Sequence, residues 1–302
     1  MKLKTIKTHQ QELELLDELG FSTNPLNKKV DSIQEVWQYF LEIQKQKDSL
    51  NYQIDGMVVK LNDLELTDKA GVVGKTKRAW SAIKFPSQEA ITKIIGITWQ
   101  VGRTGKLTPV AELKPTLLQG TVVKRATLHN YKEVLEAGLT IEDTLVIQKA
   151  GDIIPEVVKI LTNLRPENSV KFGLPEVCPS CGTRLVLSKT KVDAICTNTG
   201  NCKSQIRQRL SYYCQRNIAN ISGLSKQIIN KFITEFAIKD IADIYDLPYK
   251  QIFELEGFSD KSVENLKKSI DKAREIPDYK FLAGLGIEGL GLETAKLICK
   301  LI

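Results

Sequence analysis

Four of the six cysteines fall in "CPSCGTRLVLSKTKVDAICTNTGNC". Cys178 and Cys181 form a C-x2-C knuckle closed by Gly182, and Cys196 with Cys202 returns after an insert of hairpin length. Four thiolates so spaced suit tetrahedral Zn2+, and with no position left for water the metal is structural. Metal binding then supplies the folding free energy of a segment too short for a core of its own. The alternative is four unrelated reduced thiols. Cys214 and Cys299 lack partners at ligand spacing and read as buried, inert thiols.

Two lysines stand out because their neighbours are apolar. Lys60 closes "YQIDGMVVKL", and Lys84 sits between Ile83 and Phe85 in "AWSAIKFP", where Trp80, Ala82 and Lys84 share one face. A half-buried ammonium is costly unless an anion meets it. An isolated lysine in such a place reads more readily as snorkelling to the rim, whereas two on neighbouring strands can converge on one phosphate-bearing ligand. Asp55 and Lys60 are an odd number of residues apart, so strict alternation puts them on opposite faces unless Gly56 relaxes the strand.

A third device is repeated: Gly223-Leu224-Ser225, Gly257-Phe258-Ser259 and Gly289-Leu290-Gly291. A glycine turn opening a helix presents unpaired N–H groups at the positive end of the dipole, which suits a DNA phosphate and ignores base sequence. Lys226, Lys231, Lys261, Lys267 and Lys268 flank these turns. One copy alone is an ordinary helix–helix turn; three copies in a basic chain point to nucleic acid. Arg103 and Lys106 in "VGRTGKLTP" sit at a strand end, either a nucleic-acid contact or a solvated hairpin tip. His129, one of two histidines, has no second ligand nearby and reads as structural.

These residues need elements to hold them. Residues 1–90 read as mixed α/β: Thr8 with Gln11 and Ser32 with Glu35 have capping-box form before the stripes Leu13, Leu16, Leu19 and Val36, Phe40, Ile43. Residues 91–165 carry short β-rich runs separated by Gly or Pro, the pattern of a small closed barrel of OB-fold length. "LRPENSV" reads as a linker, the cysteine module fills 166–204, and residues 205–302 turn helical, with Val263, Leu266, Ile270 and Ala273 on one stripe. The fold class is therefore multidomain. At 302 residues the chain has room for two to four cores, and its net charge of +7 favours phosphate-rich partners. No apolar run reaches signal-peptide or membrane-spanning length after Met1, Lys2, Lys4 and Lys7, so the expected partner set has no membrane and the expected location is the cytoplasm.

Taken in order, "IDGMVVK", "WSAIKFP", "VGRTGKLTPVAEL", "ATLHN", "AGDIIPEVV", the four cysteines and the glycine turns closely resemble the bacterial NAD-dependent DNA ligases along essentially the whole chain. The resemblance implies the carboxy-terminal part of an α/β nucleotidyltransferase (adenylation) domain, an OB-fold, a four-cysteine zinc finger and an incomplete helix-hairpin-helix domain. It implies an enzyme that seals nicks in duplex DNA by moving AMP from NAD to a lysine, then to the 5′ phosphate, before the 3′ hydroxyl displaces it. Matched residue by residue, Asp55, Lys60 and Lys84 line the adenylate pocket, acting beside Mg2+, and Cys178, Cys181, Cys196 and Cys202 bind zinc. Arg103, Gly223, Gly257, Gly289 and Gly291 are the candidate DNA contacts.

The nucleophile motif K-x-D-G is not in the sequence; Gln53 stands at the corresponding place before Asp55-Gly56. The resemblance thus implies an internal piece, lacking the amino-terminal part and the terminal BRCT domain and inactive alone, with a complementary amino-terminal ligase fragment as an expected partner. The competing reading is a non-enzymatic, sequence-independent DNA clamp built from the barrel, zinc finger and hairpins.

Overall fold

A computed structural model describes residues 6–74, 76–150 and 154–301. Lys2 and Lys4, and Gly151, Asp152 and Ile153 of "AGDIIPEVV", lie outside the described residues. The described chain divides into two compact units, one ending at Gln88 and the other starting at Glu89.

In the first unit, α1 (His9–Glu18) and α2 (Ile33–Gln46) precede β1 (Gly56–Lys60), α3 (Leu64–Ala70), the small ladder of β2 (Val72–Val73) with β3 (Thr76–Lys77), and β4 (Trp80–Lys84). The Thr8–Gln11 capping box forms as expected. Ser32 caps α2 through the Glu35 N–H, while one Glu35 oxygen takes the N–H of Asp31. Val36, Phe40 and Ile43 are buried, and Phe40 and Ile43 meet Phe85 with Met57 and Ile83, the inward side of the β1–β4 ladder. The α1 stripe behaves differently. No α1 residue is buried, and Leu16 and Leu19 face solvent. Its start is instead fixed by backbone bonds, His9 N–H to Asn62 C=O at 2.8 Å and Leu64 N–H to Lys7 C=O at 3.0 Å.

The second unit begins with a closed barrel. Its strands are β5 (Glu89–Val101), β6 (Leu107–Leu118), β7 (Thr121–Thr127), β8 (Thr144–Ala150) and β9 (Ile154–Ile160), in the spatial order β5-β6-β7-β9-β8 with β8 returning to β5. Register shifts at Ile94/Gly96, Glu112/Thr116 and Val146/Ile147 supply the bends that closure needs. Ile94, Leu113, Leu118, Leu145 and Ile147 fill the interior. Between β7 and β8 lies α4 (Tyr131–Ala137), capped by Asn130 and ended by Gly138 in the left-handed region; its Val134 joins the barrel core. The β-only reading of this stretch missed α4, because seven residues give too little helical period to see.

The stretch read as a linker is bound to the barrel. Arg165 donates from Nε and Nη2 to the two oxygens of Asp143, each at 2.8 Å, and Asp143 is fully buried and also accepts the Thr140 N–H at 2.9 Å. A buried carboxylate needs such a fork. Beyond it come the short hairpin of β10 (Val186–Leu187) and β11 (Ala194–Ile195), then α5 (Lys203–Tyr213), α6 (Lys226–Glu235), α7 (Tyr249–Phe253), α8 (Asp260–Lys272), α9 (Asp278–Gly284) and α10 (Leu292–Ile298). The stripe Val263, Leu266, Ile270, Ala273 is buried throughout, in one core with Leu210, Tyr213, Ile218, Ile229 and Phe232.

Removing either partner of the Asp143–Arg165 fork leaves an unpaired charge or an unfilled site. Asp143→Ala should cost the barrel about 3–5 kcal/mol, read from urea dependence of hydrogen exchange at barrel amides; a loss below about 1 kcal/mol would show that the fork is dispensable. Burial raises the Asp143 pKa, but the Arg165 and Thr140 bonds outweigh it and hold the carboxyl below the ordinary aspartate range. A depressed folded pKa gives stability that is present at neutral pH and disappears as pH falls through the folded value. Parent and variant should therefore converge in stability below that range.

Candidate functional site

The first candidate site is the outward face of the β1–β4 ladder. Its antiparallel register sets Gly56 opposite Lys84, Val58 opposite Ala82 and Lys60 opposite Trp80, so Lys60 and Lys84 share one face, as the alternation required. That face is open to solvent: Val58, Lys60, Trp80, Ala82 and Lys84 are all exposed. Met57 and Ile83 point the other way into the core. A lysine on this strand thus never enters the apolar layer, and the core side chains beside it in sequence lie across the pleat.

Asp55 reaches the same face. Its Oδ2 accepts from Lys84 Nζ at 2.7 Å, and that hydrogen bond holds the Asp55 carboxyl below its ordinary value. Gly56 makes the contact geometrically possible. A Cβ there would overlap the Ile83 carbonyl oxygen and lie 2.8 Å from the Lys84 Cα, so only glycine lets the two backbones approach where Asp55 turns towards its partner. Lys60 Nζ lies 4.6 Å from the Trp80 ring centroid and 3.3 Å from His9 Nε2. Neither neighbour is an acid, so the Lys60 charge is held by a π-face and an imidazole. His9 came from α1, and sequence reading had no signal to place it here.

The second candidate is the sulfur cluster. The Sγ atoms of Cys178, Cys181, Cys196 and Cys202 all lie within 4.8 Å of one another, with Cys181–Cys196 at 3.5 Å and Cys178–Cys202 at 3.9 Å. A tetrahedron with metal–sulfur bonds of about 2.3 Å has edges of about 3.8 Å, so the donor set fits zinc. Burial pushes the Cys196 thiol up to about 12. At Cys181 burial acts in the same direction, but bonds from Thr183 and the neighbouring thiols prevail and bring it down to about 6. Burial and the bonds from neighbouring groups thus move these two thiols in opposite directions. Cys214 is a buried thiol raised to about 12 by burial, in the helical core, and Cys299 is half-buried.

The hairpin tip carrying Arg103 is tied down on one side, with Thr104 and Lys106 still exposed and Arg103 half-buried. Gly105 accepts the Cys196 N–H at 2.9 Å, Gln205 of α5 donates to the Cys196 carbonyl at 2.9 Å, and Lys106 pairs with Asp193 at 2.9 Å. The guanidinium of Arg103 stacks over Tyr212 at 3.9 Å from the ring centroid. The structure therefore places Arg103 against α5, not on an open surface. His129 is exposed at a positive φ of 60°, with Nε2 3.8 Å from Glu156, and joins none of the other candidates.

Gly223, Gly257 and Gly289 all adopt positive φ, at 92°, 90° and 78°. Each is followed by an apolar residue packed on the helical core and then by the N-cap of a helix: Ser225 for α6, Ser259 for α8 and Gly291 for α10. Of the flanking lysines, Lys231 donates to the Glu256 carbonyl at 2.7 Å, Lys267 lies over Tyr249 and Lys268 pairs with Glu264. Lys226 and Lys261 stand in the first turns of α6 and α8.

Comparison with known proteins gives two family matches, the NAD-dependent DNA ligase adenylation domain over residues 1–88 and the NAD-dependent DNA ligase OB-fold domain over residues 91–169. DNA ligases of Bacillus cereus (strain ATCC 10987) and Bacillus thuringiensis (strain Al Hakam) are 40% identical over 293 residues, and that of Bacillus subtilis (strain 168) is 41% identical. Each alignment covers 97% of this chain and 44% of the relative, so the chain spans less than half the length of the curated relatives it matches.

Gly105 tests how far the cysteine module depends on the barrel. A Cβ at Gly105 would overlap the Cys196 carbonyl oxygen, at a φ of 84° that already disfavours a side chain. Gly105→Ala should destabilise the module by about 1–3 kcal/mol although it removes no sulfur ligand. Unchanged hydrogen exchange at Cys196 and its neighbours would show that the hairpin contact is idle.

Proposed function

The chain belongs to the NAD-dependent DNA ligase family, and from that premise we propose that it is a portion of a nick-sealing ligase, contributing part of the adenylate pocket and most of the surface that grips DNA. The observation that carries this reading is the lysine face: Lys60 and Lys84 stand together on the exposed side of one ladder, with Asp55 bonded to Lys84, inside the stretch that matches the adenylation domain. NAD would supply the adenylyl group, and Mg2+ would be held chiefly by the nucleotide's own phosphates. The ammonium groups would neutralise phosphate oxygens as charge shifts along them, and Asp55 would fix the position of Lys84 between turnovers.

Zinc in the sulfur tetrad would be structural. The purified chain should hold close to one zinc, and Cys178→Ser should release it and loosen the amides around Cys196; a well-folded chain free of metal would count against the assignment. The three helix–turn–helix pairs support a helix-hairpin-helix assignment for residues 205–302. A lysine in the first turn of α6 or α8 meets the positive end of its own helix dipole, an unfavourable placement for the helix alone. An anion at that end removes the conflict, and a DNA phosphate is the anion the reading supplies.

The lysine that receives AMP is not among these residues, since K-x-D-G does not occur and Gln53 stands before Asp55-Gly56. The 302-residue polypeptide should therefore take up no covalent label from adenine-labelled NAD with Mg2+. A labelled band would reveal a nucleophile elsewhere in the chain. Binding of nicked duplex should weaken steeply with salt, and the doubly substituted Lys226→Ala, Lys261→Ala chain should show a shallower slope, by roughly two in log–log units if both lysines touch phosphate. Affinity that does not change with salt would remove both the ligase and the clamp readings.

A further inference from the structure

The sulfur tetrad is not shielded equally on all sides. Cys178, Cys196 and Cys202 are buried, whereas Cys181 is half-buried and is the one member of the four that solvent reaches in part. Its Sγ lies 3.5 Å from that of Cys196 and 3.3 Å from the Thr183 hydroxyl. The Cys181–Cys196 separation is already below the edge of about 3.8 Å expected between two zinc-bound thiolates, while Cys178 and Cys202 stand 3.9 Å apart. A partly exposed thiolate beside a second thiol is the arrangement in which oxidation ends in a reversible disulfide. Cys299 is also half-buried, but it belongs to no such cluster among the described residues.

The two sulfurs belong to differently anchored stretches. Cys181 sits in a turn closed on itself, with Cys178 N–H donating to the Thr183 carbonyl at 2.8 Å and Gly182 N–H to the Cys178 carbonyl at 2.9 Å. Cys196 is instead held by other elements: its N–H donates to Gly105 of the barrel hairpin, and its carbonyl accepts from Gln205 of α5. A disulfide is about 2.05 Å long, so joining these sulfurs draws them together by about 1.5 Å. It also removes two of four donors from a module whose fold the metal supports. The Cys196 peptide is where that loss meets the barrel and α5.

We propose that Cys181 is an oxidation site and Cys196 its resolving thiol, so that hydrogen peroxide converts the pair to a disulfide, dismantles the zinc-binding donor set and loosens the Cys196 junction. The Cys181 thiolate attacks one peroxide oxygen; the O–O bond breaks, hydroxide departs, and the sulfur is oxidised to a sulfenic acid. The Cys196 sulfur then attacks the Cys181 sulfur, forming the S–S bond as the S–O bond breaks and a second hydroxide departs. Each hydroxide takes one proton, from the Cys196 thiol or from solvent, and becomes water. Two thiols are oxidised and one peroxide is reduced. Cys178 and Cys202 remain as thiols, too few for a closed four-sulfur site. Any consequence for DNA rests on the ligase reading; the disulfide rests on the sulfur geometry.

The test treats the zinc-loaded 302-residue chain with hydrogen peroxide. A chromophoric chelator should collect about one zinc per chain, and alkylation with peptide mapping should find Cys181 joined to Cys196 with Cys178 and Cys202 free. A dithiol with added zinc should reverse both changes. Exchange of the Cys196 amide should quicken by at least about tenfold, while the Ile94 amide, bonded to the Asp143 carbonyl inside the barrel, keeps its rate. Cys299→Ser should behave as the parent throughout. A disulfide between any other pair, oxidation that runs to sulfinic acid without a disulfide, or zinc retained through the treatment would each overturn the proposal. Unchanged exchange at Cys196 would overturn the loosening of the junction. Nicked-duplex binding is read separately, and affinity should fall by at least about tenfold on oxidation. Equal affinity of the disulfide form would overturn redox control of DNA binding alone. A parent chain that binds no duplex would count against the ligase reading, with the mapping still deciding the disulfide.

Discussion

One backbone junction holds most of the second unit together. The Cys196 peptide donates its N–H to Gly105 of the barrel hairpin and receives a bond from the fully buried Gln205 of α5. Barrel, sulfur cluster and helical region thus meet at a single residue that also supplies one of the four clustered sulfurs. A four-sulfur cluster has little apolar area of its own, and here its burial is completed by Val101 and Leu107 from the hairpin strands. The hairpin in turn has no Cβ at position 105 because none would fit against the Cys196 carbonyl. Arg103, two residues away, extends the same seam by stacking on Tyr212. The glycine and arginine of "VGRTG" are therefore accounted for by packing, and any contact of Arg103 with DNA would have to coexist with that stack.

The first unit solves a different problem, that of placing cations beside an apolar layer. Pleating does it without desolvating either lysine: Met57 and Ile83 face the core, while Lys60 and Lys84 face out. Asp55 precedes the strand and crosses to Lys84 at the one position where a glycine removes the intervening side chain. The strand that looked like a core segment interrupted by charge is a boundary between a core and an open face. Its hydrophobicity belongs to one side and its chemistry to the other.

What could be read from the sequence follows the range over which each signal acts. Stripes such as Val36, Phe40, Ile43 and Val263, Leu266, Ile270 repeat at helix spacing and are buried as the spacing requires. The cysteines were legible because metal ligands tolerate few spacings, and they do converge. The α1 stripe was read correctly as a helix, yet Leu16 and Leu19 lie exposed, since periodicity reports a face that wants cover and not whether cover is present. Three features had no local signal. The Asp143–Arg165 fork joins residues 22 apart, and Arg165 lies in a stretch whose composition looks like a linker; α4 is too short to show a period; and His9 reaches Lys60 from an α1 start that is tied to Asn62.

The repeated glycine turns show how one short pattern can both close a helix pair and start the next helix. At each, glycine takes a positive φ, and the next residue, Leu224, Phe258 or Leu290, packs on the core. The third residue begins the helix, and where it is serine its hydroxyl accepts an N–H of the first turn: Ile228 at Ser225 and Ser262 at Ser259. Capping by serine satisfies one of the early N–H groups and leaves others pointing outward. A turn that only joined two helices would gain from acidic residues in the following turn, as Asp260 gives α8. The first turn of α6 instead carries Lys226 and no acid. At α6 the hydroxyl of Ser225 is thus the side-chain acceptor that serves the first turn.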